Sequence, residues 1–345
     1  MAIITSGNQR IPKPDVFDVI MGDFDAFETP LYNRLRKGPD VPDAKLFQFP
    51  FDVPDAPTNT GSAEGVEYTQ AGTTTFGGRD LLYGRCHHQK NFFGVGEVAQ
   101  GNEVYGTNQA DEFAYQMRRA LRKMMKNAER VIIGEQEAQA GNGSTAYQTR
   151  GLELWLTDTA NIAAQTDSST VCPAAFRPAA DQIVAQEVAS GDYSLTEDQI
   201  TDPFQSIYNA LGSRLNLDVF CTTTFKSKVS RFGKLQADVS SFTAVRRFSQ
   251  DAKDMKITAT IDTYHGDCGT ARFELHPFLR LDSAQKANAL GLDMRYLQLR
   301  VRQAPKAEEL PKAGGGRRGT VYQTFGLQCM PKYAAKWYEV DLVTG

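Results

Sequence analysis

The feature that most constrains this chain is residues 39–106, a long stretch with strand-like ends and almost nothing to bury between them. Phe47, Phe49, Phe51 and Val53 alternate with other residues, as on one face of a strand. Pro50 inside that run pushes it toward a sheet edge, because proline cannot donate to a ladder. Residues 55–80, DAPTNTGSAEGVEYTQAGTTTFGGRD, are dominated by Gly, Thr, Ala and acidic side chains. Residues 81–98, LLYGRCHHQKNFFGVGEV, then return as a second strand-like segment. The pattern predicts a two-stranded excursion that would reach on the order of 65 Å if each arm of about twenty residues were fully extended. Two strands alone are marginal in water. The excursion therefore needs a surface to lie on, and its composition fits a tip that orders only on docking.

Helices flank this stretch. FETPLYNRLRKG (27–38) carries start and stop signals: Thr29 as the cap, Pro30 at the first helical position, Leu31 and Leu35 on one face, Lys37 and Gly38 closing it. Residues 1–26 scatter apolar side chains without a sustained period and read as an extended arm. After the excursion, Phe113, Met117, Leu121, Met124, Ala128 and Val131 or Ile132 recur at spacings of three and four. That stripe predicts a helix over 108–141, capped by Asn108 and left through Gly141 and Gly143. Asp111 and Glu112 complement its dipole. Arg118, Arg119, Arg122, Lys123, Lys126 and Arg130 crowd the same helix. They suit a solvated face as well as a phosphate contact. Without interleaved aromatic rings, any contact with nucleic acid here would be weak and sequence-independent.

The second half alternates. A helix is expected within 194–212, a buried strand at 217–223, a short helix at 224–233, and a β-hairpin over 256–275 turning at HGDCG. Strands at 294–302 and 320–329 flank a loop at 303–319, and 333–342 forms a last strand. The fold class is α+β.

Composition narrows the function. Hydrophobic residues at 41%, charged residues at 23% and a net charge of −3 suit a soluble folded protein and argue against a surface wholly devoted to nucleic acid. Five scattered cysteines, an odd number, read as free thiols. Pro and charge come too early in MAIITSGNQRIPKPD for a secretory signal, and no apolar run approaches the ~20 residues a membrane span needs. A soluble protein without a membrane partner is expected.

No catalytic constellation assembles. His87 and His88 follow Cys86, but neighbours on a strand point to opposite faces and do not readily share a metal ion. His265, Asp267 and Cys268 have the residue types of a nucleophile trio but crowd a single turn. GGGRRG (314–319) lacks the ending of a phosphate loop, and FGVGEVAQG (93–101) has the wrong glycine spacing for a dinucleotide site. The chain is expected to have no catalytic residue, metal or cofactor.

Taken in order, ETPLYNRLRKG, KNFFGVGEV (90–98), GLELWL (151–156), LTEDQITDPFQSIYNALG (195–212), IDTYHGDCGTARFELHPFL (261–279) and LGLDMRYLQLRVRQAPKAEELPKAG (290–314) resemble the major capsid proteins of tailed bacteriophages, which have the Hong Kong 97-type fold. The chain departs from the family pattern in GGGRRG and in the polar insertion 157–182. The resemblance implies an N-terminal arm with a short helix (1–44) and an extended β-hairpin loop (45–106). It implies a peripheral domain (107–150 and 295–330) built on the spine helix and carrying the 303–319 loop, and an axial domain (151–294 and 331–345). Function would be self-assembly as pentamers and hexamers into an icosahedral head enclosing double-stranded DNA. The alternatives are a nanocompartment shell of the same fold around protein cargo, or a nucleic-acid-binding protein using helix residues 117–130. The particle would assemble in the host cytoplasm and become the virion capsid. Its partners would be other copies of the chain, portal and scaffold or decoration proteins, and packaged DNA bound non-specifically. Subunit contacts would fall on Leu31, Tyr32, Leu35, Phe47, Phe49, Phe51, Phe76, Arg79, Arg317 and Arg318, and Arg118, Arg119, Arg122, Lys123 and Lys126 would face DNA. On this view the excursion and arm find burial only against sister copies.

Overall fold

A computed structural model of the protein describes residues 29–38, 46–52, 64, 80–100, 111–157, 167–189, 192–193, 195–232, 250–251, 254–255, 261–279, 287–312 and 314–341. The chain enters through helix α1 (Pro30–Arg34). Pro30 sits at its first position as expected, but Thr29 makes no capping bond; its Oγ1 accepts from Asn33 Nδ2 at 3.2 Å. The helix stops at Leu35, where the backbone turns extended, and Arg36–Lys37 become strand β1. Lys37 therefore lies in a strand and does not close the helix.

The excursion divides. Strands β2 (Leu46–Phe51) and β3 (Asp80–Arg85) pair antiparallel, Leu46 opposite Arg85 and Phe51 opposite Asp80. Pro50 is tolerated because, among the described residues, β2 pairs only with β3. Past Cys86 the chain leaves this ribbon as β4 (His87–Val95) and joins another sheet, ahead of the short helix α2 (Glu97–Gln100). The expected continuous returning arm is thus two strands in two sheets.

Helix α3 (Glu112–Ile133) has 22 residues, about 33 Å at the standard rise. Its cap is Asp111, whose carboxylate accepts from Phe113 N at 3.1 Å, and Asn108 lies outside the described residues. It ends at Gly134, earlier than Gly141, because Gln136 turns back to donate its amide to Val131 O and no apolar period continues past Ile133. The chain then loops to α4 (Leu152–Trp155), buried at all four positions.

In the second half come β5 (Ile183–Ala189), β6 (Asp192–Tyr193), α5 (Glu197–Leu211), β7 (Leu215–Cys221) and α6 (Thr223–Phe232). The short pair β8 (Gln250–Asp251) and β9 (Asp254–Met255) precedes β10 (Thr263–His265) and β11 (Gly269–Leu275), joined through the HGDCG turn. Strands β12 (Ala287–Leu292), β13 (Leu297–Leu310), β14 (Arg317–Cys329) and β15 (Ala334–Asp341) complete the chain. Most of the expected 303–319 loop is strand. β13 and β14 stay paired from Leu297–Cys329 out to Leu310–Arg318, so the turn shrinks to 311–316. Cross-strand charge explains the extension: Arg317 meets Glu309, and Tyr322 Oη donates to Glu308 at 2.6 Å.

Among the described residues the strands form a four-stranded sheet, β1-β13-β14-β4, and a seven-stranded sheet, β10-β11-β7-β12-β15-β5-β6. Helix α3 covers one face of the smaller sheet through Phe93, Val95, Phe113, Met124 and Val321. Helices α5 and α6 pack on the larger one through Phe204, Ile207, Phe225, Val219 and Trp337. A third cluster unites α1, the β2–β3 ribbon, α4 and both sheets: Leu31, Phe49, Leu82, Trp155, Leu290 and Phe325. Each such buried side chain contributes roughly 1.5–3 kcal/mol.

Candidate assembly surface

This third cluster overturns one expectation. Leu31, Leu35, Phe47 and Phe49 are buried within their own chain, so they do not wait for a neighbour to cover them. Glycine makes room for the ribbon. The Phe47 ring lies against Gly84 of β3 and Gly326 of β14, and a Cβ at either position would overlap it. Phe49 meets Phe51 edge-on at 5.6 Å and tilts against Trp155 at 6.4 Å, while Phe51 packs on Phe176 at 6.1 Å. An Arg85–Asp167 ion pair ties down the inner end of β3. Tyr32 and Phe51 remain half-buried, and Phe76 and Arg79 lie outside the described residues.

What seats α1 is a group that periodicity does not reveal. Glu129, on α3 and fully buried, accepts Leu31 N at 2.8 Å and Tyr32 N at 2.6 Å, satisfying two orphan donors of the α1 terminus. Its Oε1 also lies 2.6 Å from Nε2 of buried His276. Because Phe278 N donates to His276 Nδ1 at 3.2 Å, Nδ1 is the acceptor and Nε2 carries the proton. The centre is a carboxylate held by three donors, joining α1, α3 and the end of β11. The sequence signal was slight: a Glu beside Ala128 in the apolar stripe, and a His after a strand.

The basic tip is likewise engaged at home. Arg317 bonds Glu309 at 3.0 Å and the α3 cap Asp111 at 3.0 Å, and its guanidinium lies 4.2 Å from the Phe113 ring centroid. Arg318 is half-buried. Along α3, Arg118, Arg119, Arg122 and Lys123 are exposed and Lys126 is half-buried, so the cations share a flank opposite the stripe.

The dismissed motifs stay apart chemically. His87 packs at 5.6 Å from Phe325, and burial, helped by the neighbouring His88 charge, lowers its pKa to about 4. His88 Nδ1 is 2.9 Å from Thr324 Oγ1. Burial pushes the Cys86 thiol up to about 11 and that of Cys221 up to about 12, keeping both protonated. Among the described residues no His, Cys, Asp or Glu cluster could hold a metal ion.

A strand-paired sheet carrying a long helix, a second mixed sheet, a short N-terminal helix and a two-stranded ribbon together fit the Hong Kong 97-type capsid fold. Solved structures agree over nearly the whole length. The chain is similar to the capsid of a native GTA particle (TM-score 0.58, 14% identity, 97% of each chain covered). It is similar also to the capsid of an empty GTA particle (TM-score 0.57, 13% identity, 97% of this chain and 98% of that one). A chain from Mycobacterium phage Bobi matches with a TM-score of 0.53 at 12% identity, over 98% of this chain and 99% of that one. At such identities the likeness shows the fold. No curated protein matches the chain. The family model described as SU10 major capsid protein matches residues 3–340, and the chain belongs to that family. It is a structural, capsid-forming protein of a tailed-phage type.

Proposed function

We propose that copies of this chain associate as pentamers and hexamers into an icosahedral shell around double-stranded DNA. The observation that carries this is the family match over residues 3–340, which takes in the arm, ribbon, spine helix and both sheets at once. In this assembly the four-stranded sheet with α3 forms the peripheral domain and the seven-stranded sheet the axial domain. The ribbon's stretch beyond Phe51 and Asp80 lies over an adjacent copy. Association alone suffices, since obligate interfaces bury a few thousand Å² and need no bond-making step. The exposed cations of α3, Arg118, Arg119, Arg122 and Lys123, with Lys126 beside them, line the inside and meet DNA through phosphates, without regard to sequence. Portal and scaffold or decoration proteins complete the particle, which forms in the host cytoplasm.

Size-exclusion chromatography and negative-stain microscopy of the purified chain test the proposal. Shells or ring-shaped capsomers are expected. A 38.1 kDa monomer at every protein concentration, with steeply salt-dependent DNA affinity, would refute it.

A further inference from the structure

Tyr296 and Tyr333 stack with their ring centroids 3.8 Å apart and their planes 15° from parallel. Aromatic pairs ordinarily settle at about 4.5–7 Å, offset or edge-on, so this pair is held closer than ring attraction alone requires. Backbone hydrogen bonds hold it. Tyr296 N donates to Asp293 O at 3.0 Å, Met330 N to Tyr296 O at 3.3 Å, and Tyr333 N to Met330 O at 3.2 Å. Met330 thus pins both residues. The Arg295 guanidinium lies 5.6 Å from the Tyr296 centroid and is itself held by Asp293 at 2.6 Å.

The two hydroxyls share one side of the stack. The Tyr333 phenol has its pKa raised first by burial and then by the Tyr296 phenol beside it. The ortho carbons next to those hydroxyls therefore meet near van der Waals contact. Both residues are half-buried, within reach of small solutes. Tyr296 immediately precedes β13 and Tyr333 follows β14, and the innermost ladder pair of those strands is Leu297 with Cys329. The stack closes the base of the β13–β14 hairpin, where the smaller sheet passes into β15 of the larger one.

We propose that Tyr296 and Tyr333 form an oxidative modification site, coupled within one chain into dityrosine by a one-electron oxidant. Each phenol gives one electron to an oxidant molecule and its proton to water. The two ring radicals then join their ortho carbons in a new C–C bond. Each ring shifts the hydrogen on that carbon to its oxygen, which restores both phenols. In balance, two oxidant molecules are each reduced by one electron and two protons are released. The product staples the hairpin base and, as a disulfide does, restricts the unfolded chain.

The test uses the full chain at low concentration. It is oxidised by photogenerated tris(bipyridyl)ruthenium(III), with persulfate as the terminal electron acceptor, and digested with trypsin. Peptide 296–300 joined to peptide 333–336 is expected, identified by mass and by dityrosine fluorescence. Failure to find that joined pair overturns the proposal. Tyr296→Phe and Tyr333→Phe keep a ring in the stack and should each abolish the pair's dityrosine signal. Tyr322→Phe, out on β14, should leave the yield unchanged; an equal fall in all three variants overturns the assignment. Isotope-labelled and unlabelled chains mixed before oxidation should give joined pairs of uniform label, whereas pairs of mixed label would place the contact between copies and refute it. The oxidised chain should also melt at a higher temperature than identically treated Tyr333→Phe; equal midpoints would overturn the staple.

Discussion

One carboxylate, on Glu129, holds α1, α3 and the end of β11 together, and its removal has a calculable consequence. Glu129→Gln loses the charge and turns an amide donor toward groups that themselves donate, the α1 N–H groups and His276 Nε2. Breaking a buried charged network in this way costs about 3–5 kcal/mol. A lower thermal midpoint of the unassembled protein is expected, together with faster hydrogen exchange at the Leu31 and Tyr32 amides; unchanged protection there would refute the role. Glu153 makes the opposite case. It is fully buried on α4, and its carboxylate is only weakly compensated, with Lys336 Nζ 3.6 Å away and the Ala287 backbone N–H nearby. Burial, only partly offset by Lys336, raises its pKa to about 7. A raised carboxyl pKa means that the folded state holds the proton where the unfolded chain has lost it. Stability therefore falls as pH rises from about 4.5 to about 7, by roughly 3 kcal/mol. Glu153→Gln should flatten that slope in denaturation titrations between pH 4.5 and 7.5; a slope equal to the unmodified protein's would show that another group sets it.

Among the elements, the β2–β3 ribbon depends on close approach. Phe47 reaches the core only because Gly84 and Gly326 present bare backbone to its ring. Gly326→Ala should push the ring out at a cost of about 1–3 kcal/mol, the range for overpacking a filled site. Limited proteolysis of the unassembled chain should then cut faster between Leu46 and Arg85, while α3 keeps its helicity; equal cleavage rates would contradict the seating. Elements were legible from sequence where their signals were local. The α5 helix, the α3 stripe and the HGDCG turn are where periodicity and turn chemistry put them. Ends decided by distant groups were not. Gln136 closes α3 early, and pairing between β13 and β14 turns most of an expected loop into strand.

For the whole molecule, the stretch between Phe51 and Asp80 is the part whose proposed role exists only between copies. Deleting 55–80 should leave a soluble chain, because Phe47, Phe49 and Leu82 bury at the ribbon's base without it. Shells, however, should fail to form by electron microscopy; normal shells from the deletion would remove that stretch from assembly. The sequence by itself determined the long amphipathic helix, which follows from local pattern and residue type, and the shared order of its motifs carried the resemblance to capsid proteins that implied the class of fold and the capsid function. Tertiary structure alone decided which apolar residues a lone chain can cover, because burial depends on what folds back from a hundred residues away. It placed Glu129 under α1, Phe47 over two glycines and Arg317 on Asp111, and so turned several expected contacts between copies into contacts within one.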